Sequence, residues 1–598
     1  MPTNPLPTNP RPADAGTRAV RIANCSGFFG DRLSAAKEMV EGGDIDVLTG
    51  DWLAELTMLI LARQKAKHPE AGFARTFIEQ MRQVLGTCVA KEIRVVANAG
   101  GLNPAGCADA VREVAAEIGV EVTVAHVEGD DLLGRIAELG EAGEPLAHME
   151  SGKPLADLGT EPISANAYLG GWGITTALQA GADVVVTGRV TDAAVVVGPA
   201  AWWHGWERDN WDALAGAVVA GHAIECGAQV TGGNYAFFEE VPGLEHCGFP
   251  IAEVEADGAS VITKHEGTGG LVSIGTVTAQ LLYEIAGARY PNPDVVARFD
   301  TIHLDQQGPD RVRISGVRGE PAPSTTKVAI NYLGGWRNGT TFVLTGLDIE
   351  AKAALAERTL WQSIPGGAES FDDAAAELVK GEADGHGLLY VTVIDADPDK
   401  VGRAFSNRAV EMALASYPGY FGTAAPADAR PFGVYWPALV GAQHVPATVV
   451  VEGETTIDPG APIDGGAPIP PIEVAEPATG SIPGGPTESV RLGRLIGARS
   501  GDKGGDANVG VWARSDDVFA WLSAFLTPER LAELVPEIDG LVVERHDFPN
   551  IRSLNFVVKG LLGEGVAASL RFDAQAKSLG ERLRAAEVDV PVSLLADI

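Results

Sequence analysis

The chain has 598 residues, a formal net charge of −35, 45% hydrophobic and 21% charged residues, and 73 glycines. That length calls for two or three domains, each able to build a core without disulfides. The acidic balance excludes a broad nucleic-acid surface, which needs concentrated Lys and Arg, but not a small anion held by a local arginine and backbone N–H groups.

Residues 1–18 carry no apolar core of a signal peptide and are expected to form a disordered tail. No run of about eighteen apolar residues follows, so no membrane span is expected. The five cysteines (Cys25, Cys88, Cys107, Cys226 and Cys247) form no CxxC pair. Their sparse, odd count argues against a thiolate metal site and fits a reducing cytoplasm.

In chain order, residues 20–24 are predicted to form a strand that feeds the turn Gly27-Phe28-Phe29-Gly30-Asp31-Arg32 and a helix over 32–41. A strand over 46–49 leads to Gly50-Asp51-Trp52 and a helix over 53–66. After a helix at 74–85, strand 93–97 ends at Asn98-Ala99-Gly100-Gly101-Leu102-Asn103-Pro104, with a helix over 105–118 beyond it. Strands at 121–125 and 183–187 follow, the second ending in Gly188-Arg189 with Thr191-Asp192. A helix is predicted at 212–225, then the loops Thr231-to-Asn234 and His265-to-Gly270, then a helix over 271–284. Short branched strands alternating with helices predict a mostly parallel, three-layer α/β body. From about 295 to 450 the strands partly alternate, and this stretch reads as a possible sub-lobe. Residues 451–488 are a Pro/Gly linker, and 489–598 form a small α+β unit.

The glycine-rich loops fall at predicted strand ends, where open α/β sheets bind ligands. Glycine there permits positive φ and close approach of backbone N–H groups to an anion. Gly27-to-Arg32 lacks the third glycine and spacing of a dinucleotide fingerprint; Asp31 and Arg32, at a helix start, are read as contacting substrate or as pairing with each other. The N–H groups of Gly100 and Gly101, flanked by Asn98 and Asn103, suit a carboxylate or phosphate. Arg189 presents a planar fork for such a group, with Asp192 as its neighbour or pair. His265 and Glu266, beside Thr268, Gly269 and Gly270, offer proton-transfer groups, and Asp51 is a comparable acid.

His222 and Glu225 share a helix face, a spacing that suits an acid–base pair or a weak metal site. Ser500-to-Asn508 concentrates Asp502, Lys503, Asp506 and Asn508. It reads either as an anion cap over the main cleft or as a tight loop between adjacent strands, and Arg499 and Arg514 add positive potential beside it. Neither a nucleophile elbow nor a P-loop is present. No metal is predicted and no cofactor is assigned.

These loops also carry a resemblance. RIANCSGFFGDR, TGDWLAE, VVANAGGLNP, ANAYLGGWGITTALQAGADVVVTGRVTDAA, GHAIECGAQVTGGN and KHEGTGGLVSIGTVTAQLLYE resemble the acyclic terpene utilization AtuA family over roughly residues 19–450. LIGARSGDKGGDANVGVWAR resembles the small ferredoxin-like domain that members of that family carry. The resemblance implies a place in the catabolism of citronellol- and geraniol-type compounds, in which branched acyl-CoA acids are carboxylated, hydrated and cleaved.

The expected activity is therefore acid–base chemistry of the hydratase or lyase type on an anionic branched carboxylic acid or acyl-CoA. Glu266 or His265 would move the proton, with Asp31 or Asp51 assisting and Lys503 and Asp502 completing the cleft. Arg32, Asn98, Gly100, Gly101, Asn103, Arg189, Asp192, Asn234, Thr268, Gly269, Gly270, Asp506 and Asn508 form the expected binding set. A homo-oligomer and other pathway enzymes are the expected protein partners, with neither nucleic acid nor membrane. The alternative is a non-catalytic acyl-ligand-binding or scaffolding subunit of a carboxylase or hydratase assembly.

Overall fold

Strand assembly begins with short, branched, doubly buried runs. In the computed structural model, which describes residues 15–53, 55–381, 385–458 and 483–595, these are β1 (Val20–Asn24), β2 (Val47–Gly50), β3 (Arg94–Ala97) and β4 (Val124–Glu128). β5 (Pro162–Ala167) belongs to a second sheet, and β6 (Val184–Thr187) returns to the first. Residues 1–14 of the expected tail and 459–482 of the expected linker lie outside the described residues.

β1, β2, β3, β6 and β4 pair in parallel in that order. Because side chains alternate along a strand, each strand feeds two cores. Ile22, Val96 and Val185 pack with Ile174, Val196, Leu214 and Val218 from helices Trp172–Gln179, Ala194–His204 and Trp211–Ile224. Ala23, Val95, Val184 and Val186 pack on the other face with Met39, Phe77, Met81 and Val111 from helices Ala35–Gly42, Arg75–Ala90 and Pro104–Ile118. Each such apolar side chain contributes about 1.5–3 kcal/mol by leaving water. The last helix starts as its sequence dictates: Pro104 opens it, and Asn103 caps it by accepting the Gly106 N–H at 3.0 Å.

The mostly parallel body expected from the sequence is corrected. The sheet has eleven strands, and only its five central ones are parallel. β7 (Pro250–Val254), β8 (Ser260–Lys264), Arg311–Ser315 and His303–Gly308 extend it antiparallel from β1, while Ala447–Val451 and Glu454–Asp458 extend it antiparallel from β4. Three of these pairs, β7 with β8, His303–Gly308 with Arg311–Ser315 and Ala447–Val451 with Glu454–Asp458, are joined by tight hairpins, such as the Asp257-Gly258 turn, that are too short for a parallel crossover.

The region 295–450 thus shares the main sheet at both its ends. Between them the long strand Thr325–Thr345 pairs with β5 and Arg430–Gly441 along one half and with His386–Asp395 along the other. Helices Ile349–Ser363 and Arg403–Glu411 cover it with a core around Phe342, Leu360, Val391 and Phe405.

The C-terminal unit is a four-stranded antiparallel sheet, ordered Ile496–Lys503, Asp506–Ala513, Ser553–Val558 and Val543–Phe548. Helices Asp516–Phe525, Pro528–Leu534 and Leu579–Ala585 pack on it. Thr527 caps the second helix by accepting the Arg530 N–H. After strand Ser553–Val558 the chain makes a run of turns through Gly560, Gly563 and Gly565, all with positive φ. This unit docks on the large one at residues 283–286. Asn508 Oδ1 accepts the Glu284 N–H at 3.1 Å, Lys503 Nζ donates to the Glu284 carbonyl at 3.0 Å, and Asn555 Nδ2 donates to the carbonyls of Ile285 and Ala286. Among the described residues no helix is long and apolar enough to cross a membrane.

Candidate functional site

The carboxyl ends of the parallel strands carry the polar residues. Asp51 follows β2 and Asn98 follows β3; Asn98 Nδ2 donates to Asp51 Oδ1 at 2.5 Å, and its Oδ1 accepts the Trp52 N–H. Arg189 follows β6. It is buried, lies 4.2 Å from the Tyr168 ring centroid, donates Nη1 to the Leu53 carbonyl at 2.5 Å and pairs Nη2 with Asp192 Oδ1 at 2.7 Å.

Two glycines bring a second group of acids to the same edge. The end of helix Trp211–Ile224 lies against the Asp192-Ala193 loop at Gly221, where a Cβ would stand 2.7 Å from the Ala193 Cα. The turn after β1 lies against Cys226 at Gly27, where a Cβ would stand 2.6 Å from that carbonyl carbon. Side chains are excluded at both positions because backbone meets backbone. The result places buried His222 and Glu225 beside Asp192, with His222 Nδ1 2.9 Å from Glu225 Oε1. Glu284 completes the group from a left-handed backbone conformation (φ +61°), a strained state that persists only where surroundings hold it. Here the holding groups are Asn508 and Lys503 of the small domain.

Burial and mutual repulsion set the protonation of this group. Desolvation, then Asp192 and Glu284, push the Glu225 carboxyl well up, against the pull of Arg189. Desolvation and Asp192 do the same to Asp51, and desolvation and Asp502 raise Glu284. Burial lowers His222 to about 4, so its ring is neutral near pH 7. Burial opposes the charge of Arg189, but Asp192, Tyr168 and Asp51 hold it above its usual value. Within this ring the buried atoms Arg189 Nε, Thr191 Oγ1, Glu225 Oε2, Gln280 Oε1 and both ring nitrogens of His222, whose Nδ1 is near Glu225 but not aligned for a hydrogen bond, have no hydrogen-bond partner among the described residues. Buried polar atoms are nearly always paired, so a group of open ones marks a place for water or a polar ligand.

Behind Arg189, Asp130 Oδ2 accepts the Arg189 N–H at 2.9 Å and Asn166 Nδ2 at 2.8 Å. Burial raises this acid to about 7 despite those two bonds. An unfolded Asp loses its proton near pH 4, so the folded form is favoured fully below that pH and loses the advantage as pH rises to about 7. Urea unfolding of the wild type is expected to show a decline of up to about 1.4 kcal/mol per pH unit from this group. Asp130→Asn keeps an oxygen for both accepted bonds and should remove that slope; an unchanged slope assigns it to another acid.

Of the residues singled out in the sequence, the structure brings Asp51, Asn98, Arg189 and Asp192 together, and Asp502, Lys503 and Asn508 reach the Glu284 side from the small domain. Asp502 lies 3.5 Å from Lys577, and Asp506 is buried against Lys559 and the Gly560 N–H. The segment around Lys503 and Asp506 is a hairpin between adjacent strands, turning at Gly504 and Gly505.

Other predicted residues serve their own loops. Asp31 accepts the Gly27 and Arg32 N–H groups, and Arg32 pairs with Glu38 and donates to the Cys247 carbonyl. Asn103 caps its helix and donates to the Glu70 and Ala71 carbonyls. The Gly101 N–H bonds the Asn98 carbonyl, and the Gly100 carbonyl accepts the Asn103 N–H. Asn234 is exposed with φ +57°. His265 Nε2 lies 2.9 Å from the Met39 carbonyl, its ring packed on Gly42 and Gly43, while Glu266 is exposed. Thr268 bonds the His265 carbonyl, Gly269 packs against Gly243, and the Gly270 N–H bonds the Pro242 carbonyl. Sequence reasoning missed Glu284 altogether and left Glu225 outside its chosen set, although its spacing from His222 was the available signal.

A cleft of about 670 Å³ opens at the far end of helix Trp211–Ile224, between Trp211, Gly258 and Gly319. Its ionisable residues, Asp209, Asp212, Asp257 and Arg318, are all exposed, so nothing there tunes a proton-transfer group, and the strand-end cluster is the better site.

Comparison with known proteins gives two matches. Residues 20–451 match the model of the acyclic terpene utilisation family protein AtuA, and residues 490–589 match that of the AtuA ferredoxin-like domain. Searches of curated proteins and of solved structures returned no match. With nearly its whole described length accounted for by these two matches, the chain belongs to the acyclic terpene utilisation AtuA family.

Proposed function

We propose that the protein is an enzyme of acyclic terpenoid or branched-acid catabolism that adds or removes water, or performs a related lyase step, on a branched carboxylic acid or its acyl-CoA. The observation that carries this reading is the buried Glu225–His222 pair, 2.9 Å apart, beside open polar atoms and the Arg189–Asp192 ion pair. A carboxylic acid kept protonated next to a neutral imidazole can donate a proton to a leaving oxygen and recover it, which is how environments split acid and base roles. In this scheme Glu225 is the acid, His222 relays its proton, and Asp192 takes the substrate proton. Arg189 holds Asp192 and offers fixed positive potential to negative charge that develops in the transition state. Its two terminal nitrogens hold the Leu53 carbonyl and Asp192, which leaves Nε as the buried donor facing the open polar atoms.

The test is incubation of purified protein in isotopically labelled water with branched enoyl-CoAs, hydroxyacyl-CoAs and the corresponding free acids, followed by mass spectrometry. Label gained by one of them is the expected result. Binding without label in any of them would transfer the chain to the acyl-ligand-binding alternative.

A further inference from the structure

With both terminal nitrogens of Arg189 committed to Leu53 and Asp192, the anion of the substrate needs another partner. The small domain offers one. Arg499 lies on its strand Ile496–Lys503, half-buried, with its guanidinium 4.2 Å from the Tyr283 ring centroid. It faces Cys226, Tyr283 and Glu284, the flank of the acid cluster that the large domain leaves to its neighbour. Among the described residues its side chain makes neither a hydrogen bond nor an ion pair. Other arginines held in the interior are paired: Arg545 makes a bidentate pair with Asp547, and Arg189 pairs with Asp192, with only its Nε left open.

We infer that Arg499 binds the carboxylate of the substrate, so that the small domain supplies the anion clamp and the large domain the proton chemistry; the inference rests on the reading of the site given above. Stacking on Tyr283 fixes the plane of the guanidinium while leaving its N–H edge open, and that edge matches a carboxylate with two parallel bonds. The charge balance selects a monoanion. Asp192 and Asp502 flank the space and each raises the neighbouring Glu284 carboxyl; Arg189 pairs with the first and Lys577 with the second, so the positive charge left for a ligand is that of the Arg499 guanidinium, which a monocarboxylate matches and a dianionic phosphate exceeds. Glu284, kept protonated chiefly by burial, does not neutralise Arg499 in the absence of a ligand. The position also accounts for the clamp on the strained Glu284 backbone: Lys503 and Asn508, from the same hairpin as Arg499, fix the edge across which a bound carboxylate would lie.

Isothermal titration of the full chain with isovalerate and with its neutral isostere isovaleramide tests this directly. The wild type should bind the acid at least tenfold more tightly than the amide. Arg499→Gln should bring that ratio close to one while leaving the amide affinity unchanged, and Arg499→Lys should keep part of the preference. Because Arg499 makes neither a hydrogen bond nor an ion pair among the described residues, both variants should melt cooperatively, shifted only by the lost stacking on Tyr283. A wild type without the preference, or an Arg499→Gln variant that retains it, overturns the inference. If the preference is present and lost with Arg499→Gln, yet no compound gains label from water, the reaction assignment falls while the clamp stands.

Discussion

Glu225→Gln is expected to lower kcat by about a hundredfold to ten-thousandfold, the usual range for removing a positioned general acid, with KM little changed. Gln is isosteric with the protonated acid, so the fold should be kept. Stability supplies a second readout with a definite sign. The folded Glu225 carboxyl is raised chiefly by burial, so its stabilising effect is complete below the unfolded value of about 4.3 and is lost as pH climbs from there through the folded value. The Gln variant should be less sensitive to alkaline pH than the wild type. His222 has the opposite sign: lowered to about 4, it stabilises the fold above about 6.5 and ceases to as pH falls through about 4. The rate profile should show an acid limb near pH 4, where His222 takes a proton, and an alkaline limb where Glu225 loses its own. A Glu225→Gln enzyme with full kcat removes Glu225 from the chemistry.

Asp547→Ala should be the most damaging single change in the small domain. Arg545 and Asp547 are both buried, their side chains 6% and 5% exposed, and joined by bonds of 2.7 and 2.8 Å. Arg545 also donates to the Leu526 carbonyl and Ser523 Oγ, tying strand Val543–Phe548 to helix Asp516–Phe525. Removing one member of a buried pair leaves the other charge without its counterion, at a cost of about 3–5 kcal/mol. Urea unfolding should show that loss first in the small domain, whose own core lies around Trp521, Leu522 and Phe556, with a smaller effect on the large domain, whose core takes in Trp512, Phe548 and Ile551 of its neighbour. Activity should fall with the small domain, since Arg499, Lys503 and Asn508 leave the Glu284 edge together. A loss below about 1 kcal/mol would mean that the guanidinium finds water or another acceptor.

What the sequence made legible follows from local rules. Asp51, Asn98 and Arg189 stand directly after parallel strands, where short branched runs and glycines announce the binding edge. The same rule misdirects at His265 and Glu266. They also follow a buried strand, and β8, two antiparallel steps from β1, runs in the same direction as the parallel strands, but the His265 ring turns onto Met39, Gly42 and Gly43 and not toward the strand-end acids. The signal for the β7–β8 hairpin was the Asp257-Gly258 pair between two branched runs. Glu284 was missed, and Arg499 was read only as background positive potential, for a different reason. Both lie inside the family-like segments, Glu284 at the end of one and Arg499 near the start of the other, but each acquires its place at the site only because two domains meet at residues 283–286, a docking that no local pattern encodes.

The central claim is that one site, at the carboxyl ends of the parallel strands, is shared by the two domains. A crystal structure of the full chain with a bound branched carboxylic acid tests it most directly. The account predicts the carboxylate on Arg499 and the reacting carbons within hydrogen-bonding reach of Glu225 and Asp192. A ligand seated instead in the cleft at Trp211 and Arg318, or against Glu266, would contradict it.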